Sequence, residues 1–255
     1  MRTRDALAVL LLAASASAHD FWIAPASFEP EPGSLLDVHL QVGEAGKGDE
    51  VQRSDERIRR FVALDARGAK AIVGRDGATP AGRVRLGDAG VATLGYHSTP
   101  KELALPAEEF EAYLREEGLE GVIAERERLG QRAVDGREHY ERCAKSLVSV
   151  GGTHGNGQTL GLPLEFVVLG ESAGGLQLEL RFEGKPLENA LVHVTRLDAA
   201  REGSAAPAPG RTGADGRVVA PTAGRWLVTA VHMQHAAADS GADWHSWWGS
   251  LTYER

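Results

Sequence analysis

The chain has 255 residues, 42% of them hydrophobic, which is enough for one large or two small domains with an ordinary core. Its formal net charge of −8 repels phosphate backbones and removes nucleic acid from the expected partners. A single cysteine, Cys143, excludes an internal disulfide.

The N-terminus reads as a secretory leader over residues 1–18. "MRTRDA" is basic, "LAVLLLAA" is apolar but too short to span a bilayer, and "ASASA" offers small residues for cleavage after Ala18. No later stretch reads as a membrane span, so the expectation is a soluble exported protein beginning at His19.

Next, "PEPG" marks a turn, and Leu36, Val38, Leu40 and Val42 alternate with polar residues as in a half-buried strand. His39 falls on its polar face. "RRFVALDA", "KAIVG", "GRVRLG" and "GVATLGYHS" follow as short strands punctuated by Gly and Asp, the pattern of a β-sandwich. From Pro106 the period changes. Phe110, Tyr113 and Leu114 take helical spacing, with Pro106 at the start and Gly118 at the end. Glu108, Glu109 and Glu111 form the solvated face of that helix. Leu119, Val122, Ile123 and Leu129 continue a stripe, and "GREHYERCAK" reads as a third helical piece with a buried Cys143 thiol. The helical insertion therefore spans about 106–145.

"GGTHGNGQTLGLP" lacks periodicity and reads as a domain boundary, with His154 exposed. "GLQLELRF", "ALVHVTRLD", "RTGADGRVVAPTAGRWLVTAVHM" and "WHSWWGSLTYE" are strands of a second sheet system, separated in part by the loop "REGSAAPAPG". The fold class is mainly β: two β-sandwich domains, 19–160 and 161–255, the first carrying the helical insertion.

Two constellations carry chemistry. Cleavage after Ala18 gives His19 a free α-amine beside its imidazole, and the two nitrogens can chelate one ion. The competing reading makes His19 the first residue of an ordered strand anchored by Phe21 and Trp22. The second cluster, "VHMQHAAADSGADWH", holds His232, His235, Asp243 and His245 in one strand–loop–strand segment. Its spacing matches no zinc-finger or HExxH pattern. Trp226, Trp244, Trp247 and Trp248 read as a cover for the sandwich core, with a carbohydrate platform as the other option. His97, His139 and His193 read as structural. No nucleophile elbow and no dinucleotide fingerprint is present, so no enzyme is expected.

"HDFWIAP", "YHSTPKELALPAEEFEAYLREEGLEGVIAERERLGQ", "GREHYERCAKSLVSVG", "GKPLENALVHV", "GRWLVTAVHM" and "WWGSLTYE" occur in order along the mature chain. Together they resemble an exported domain family of unknown function related to the periplasmic nickel-uptake component NikM. The C-terminal half resembles transthyretin-like sandwiches. The resemblance implies a periplasmic location and the binding of a divalent transition metal, nickel or cobalt first and copper as a further fit. It also implies a link to a metal-uptake transporter or another envelope protein. The metal would be held by His19 with His232, joined by His245, Asp243 or His235. Two alternatives stay open: a non-metal interaction module, and a copper histidine-brace oxidoreductase.

Overall fold

The computed structural model describes residues 19–198 and 208–255; the expected leader and most of the "REGSAAPAPG" loop lie outside the described residues. The chain is mainly β. The first strands are β1 (Asp20–Pro25), β2 (Leu35–Glu44), β3 (Lys47–Val51), β4 (Ile58–Asp65), β5 (Gly68–Ala71), β6 (Gly82–Arg85), β7 (Gly90–Ser98) and β8 (Lys101–Leu105). Helices α1 (Ala107–Glu116) and α2 (Glu120–Arg128) interrupt them. Then come β9 (Gly136–Val150), β10 (Leu164–Ser172), β11 (Gly175–Phe182), β12 (Lys185–Pro186), β13 (Leu191–Arg196), β14 (Gly210–Arg211), β15 (Arg217–Ala220), β16 (Arg225–His235) and β17 (Trp244–Glu254).

A nine-stranded sheet runs in the order β14-β13-β16-β17-β9-β7-β4-β5, with β8 also paired to β9. Its one parallel pair is β17 with β9; the others are antiparallel. Two four-stranded sheets flank it, one built from β1, β2, β3 and β6 and the other from β10, β11, β12 and β15. Successive side chains of a strand point to opposite faces. On β9, Ala144, Val148 and Val150 join a core with Ile23, Val38, Leu40, Phe61 and Leu94. Cys143 and Leu147 of the same strand join a different core with Phe166, Leu178, Leu180, Val228 and Leu251. The large sheet is thus the shared middle layer of two sandwiches, and the expected boundary near residue 160 does not cut it.

The helical expectation is corrected in its last third. Residues 136–145 are not helical; they begin the 15-residue strand β9. Tyr140, Cys143 and Leu147 mimic a helical stripe because β9 is buried on both faces and carries polar residues that pair across strands. α1 and α2 form as read. Phe110, Tyr113 and Leu114 are buried, Gly118 takes φ +64°, and Leu119 N–H closes onto Leu114 O at 2.8 Å. Glu111 departs from the solvated face: it is buried and accepts from Arg126 Nε at 2.9 Å, with the Arg126 guanidinium over the Phe110 ring. Both helices pack on Val231, Met233, Trp244 and Trp248. All four C-terminal tryptophans are buried, as a core cover requires.

Candidate functional site

Even-numbered residues of β9 and β17 face β1 and the helices. Arg142 donates to His19 O at 2.9 Å, and Thr252 donates to Ile23 O at 2.8 Å. Odd-numbered residues face the β10–β11 sheet, where Trp247, Leu251 and Tyr253 sit. This alternation separates the expected ligands. His19 lies on the first face, with Nε2 3.4 Å from Glu44 Oε1. His232 lies on the second, its ring 4.3 Å from Phe182 and 6.3 Å from Trp247. Burial without a partner lowers its pKa. His19 and His232 are therefore not brought together. Asp243 is held by Arg137 in a two-bond clamp of 2.9 and 3.1 Å, and His235 stacks on Trp244 and reaches Glu125 at 3.3 Å.

His245 is different. Pairing of β17 with β9 sets it opposite His139, and pairing of β7 with β9 sets His97 opposite Cys143. All of these side chains share the second face with Glu141, whose carboxylate takes two imidazoles. His97 Nε2 is 2.6 Å from Oε2 and His245 Nε2 is 3.0 Å from Oε1. Arg59 approaches Oε2 at 3.4 Å. The His139 ring lies 6.4 Å from His245, edge-on, and its Nε2 is 3.6 Å from Glu102. His245 stacks on Trp247 at 4.1 Å with the planes 8° apart.

The electrostatics follow from this geometry. Burial raises the Glu141 carboxyl, but the His97 hydrogen bond and the charges of Arg59, His97 and His245 together outweigh it, so its pKa is lowered. Glu141 is thus held as a carboxylate, its own side chain buried while Arg59 and His245 beside it reach solvent. Burial lowers the pKa of His245 more than Glu141 raises it, which favours the neutral, ligating imidazole. Cys143, on the same face, is inert: burial pushes its thiol up to about 12. Two imidazoles meet one carboxylate here, with the third, His139, 6.4 Å from His245 and turned to Glu102; these are donor types that suit nickel, cobalt, copper or zinc. Among the described residues, no group of three or more His, Cys, Asp or Glu side chains is placed so as to hold a metal ion as the side chains stand. His97, Glu141 and His245 are instead hydrogen-bonded to one another, and His139 is turned to Glu102.

Sequence reading offered His245 as a ligand, read His97 and His139 as structural, and did not single out Glu141. The usable signal was alternation within "REHYER": as a strand, it places His139 and Glu141 on one face. Reading the segment as a helix hid that.

A family model described as a domain of unknown function (DUF4198) matches residues 16–234. No curated protein matches the chain. No solved structure matches it either.

Proposed function

The chain belongs to the DUF4198 family, and from that premise we propose that it is an exported protein that binds a divalent transition ion. The ligands are His97, Glu141 and His245, with His139 as a further donor. The observation that carries this reading is the single buried carboxylate engaged by two imidazole Nε2 atoms from β7 and β17. Tetrahedral ligands at about 2.0–2.1 Å from an ion lie roughly 3.3 Å from one another. The two imidazoles stand 2.6 and 3.0 Å from different oxygens of Glu141, so binding an ion would exchange both hydrogen bonds for bonds to the metal. The imidazole-rich set favours nickel, cobalt, copper or zinc over calcium and magnesium, which prefer oxygen. On this reading the leader is removed after Ala18 and the chain handles nickel or cobalt in the periplasm, in the manner its resemblance to NikM-related proteins implies. A chelate at the His19 α-amine is then a separate, second locus, on the other face of the sheet.

Calorimetric titration with nickel, cobalt, copper and zinc chlorides tests the proposal. One tightly bound ion is expected. His97→Gln/His245→Gln should weaken it at least 100-fold with the circular dichroism spectrum unchanged, whereas one extra residue before His19 should leave it intact. Affinity should fall as the solution is acidified, because the ligands must lose protons to bind the ion. Failure of the parent chain to bind, or equal binding by the double variant, overturns the assignment.

A further inference from the structure

A cavity with a volume of about 610 Å³ lies on the face of β9 opposite the His97–Glu141–His245 cluster. Its walls are the rings of Phe21, Tyr96 and Tyr140 with Leu40, Val42 and Val51. Three cations reach it: Arg57, Lys101 and Arg142. Most arginines and lysines of this acidic chain stand within 4 Å of a carboxylate, but among the described residues these three do not. Arg57 donates only to neutral oxygens, Thr99 Oγ1 at 3.3 Å and Pro100 O at 2.8 Å. Arg142 spends one N–H on His19 O, and its guanidinium stands 4.6 Å from the Trp248 ring behind the wall, 5.1 Å from Tyr140 and 6.0 Å from Phe21. Asp20 and Glu138 act on Arg142 only from beyond ion-pair distance. The single acid in the cavity wall is Glu56.

We propose that this cavity binds a small organic carboxylate with a planar, apolar body, the carboxylate lying among Arg57, Lys101 and Arg142 and the body between Phe21, Tyr96 and Tyr140. Each half of the wall supplies one part of the recognition. Guanidinium and ammonium groups lacking a protein counter-ion favour a charged acceptor. Three aromatic rings and three aliphatic side chains favour an apolar body over a bare inorganic anion. The volume falls within the range typical of small-molecule sites, about 300–1,000 Å³. The site is independent of the His97–Glu141–His245 cluster, which faces the other way across β9.

The test uses 2-naphthoate and its uncharged analogue 2-naphthylmethanol, followed by calorimetry and by ligand fluorescence. The parent chain should bind one 2-naphthoate, at least tenfold tighter than the alcohol, with the preference shrinking as salt rises from 50 to 500 mM. Arg57→Gln/Lys101→Gln keeps the partly buried Arg142 in place. It should lose at least tenfold in naphthoate affinity, leave affinity for the alcohol unchanged, and melt at the parent temperature. His97→Gln/His245→Gln should bind naphthoate normally. Equal affinity for acid and alcohol, unchanged naphthoate binding by the Arg57/Lys101 variant, or no binding by the parent chain overturns the proposal.

Discussion

Glu117 shows how much one residue's surroundings can set. It caps the C-terminal end of α1, where the helix dipole disfavours a negative charge, and it is buried. Burial first, then the Asp20 and Glu116 carboxylates, push its carboxyl up to about 8; Arg142 pulls the other way and Glu138 adds to the rise. The folded chain therefore keeps a proton that the unfolded chain releases above its ordinary value of 4.5. A raised folded-state pKa means stability that is whole below that ordinary value and is lost as pH rises through the window to about 8. Glu117→Gln removes the titration. Relative to the parent, the variant should gain up to about 1.4 kcal/mol per pH unit across that window and nothing further above it. Urea unfolding at pH 5.5, 7.0 and 8.5 reads this; a constant difference between the two proteins at all three would count against the buried, protonated carboxyl. Sequence spacing could not supply it. Glu117 looks like one more acid in "REEG", and its environment is made by β1 and β9, far away in the chain. The same limit applies to the candidate metal cluster: His97, Glu141 and His245 are separated by 44 and 104 residues, and only strand pairing joins them.

Among the elements, β9 does the most connecting, and it is the one the sequence disguised. Strands with one wet face, such as β2 and β11, were legible because alternation survives there. β9 has no wet face after Glu141, so period two is masked by buried polar groups such as Lys145, Ser146 and Ser149. Lys145 explains why such groups are there. Its ammonium meets Glu165 of β10 at 2.8 Å and donates to Phe166 O at 3.1 Å. Glu165 in turn accepts from the backbone N–H groups of Leu160 and Gly161, each at 2.7 Å, and of Leu162 at 3.2 Å. The Gly-rich connection that reads as a linker is thus stapled to the central sheet by a buried ion pair. Removing one partner of such a pair typically costs about 3–5 kcal/mol. Lys145→Met should fall in that range. Glu165→Leu should cost more, because it strands the ammonium and three backbone donors together. Combining the two should not restore the parent stability, since the orphaned amides remain. Recovery by the double variant, measured by urea unfolding, would show that the amides are satisfied some other way.

For the whole molecule, the shared middle layer decides how the chain unfolds. The sequence pattern suggested two sandwiches, and both are present, but they are not separable in the way a boundary at residue 160 implies. β9 belongs to the first half of the chain and lends opposite faces to both cores. β17, from the second half, pairs with it through nine residue pairs from Trp244–Glu138 to Thr252–Ser146. The first strand of the chain is fixed on the last by the Thr252 hydroxyl on Ile23 O. Unfolding either core alone would expose one face of β9 and strip the partner strands from a sheet edge, leaving unpaired backbone groups against water-poor surface. We expect one cooperative transition, with calorimetric and van't Hoff enthalpies equal. Phe61→Ala in the first core and Leu178→Ala in the second each remove a buried side chain, at a cost of roughly 2–5 kcal/mol. At about 2–4 °C per kcal/mol for a chain of this size, each should lower the same single midpoint by roughly 5–15 °C. Two resolved endotherms, with each variant moving only its own, would mean that the halves fold independently despite the strand pairing between them.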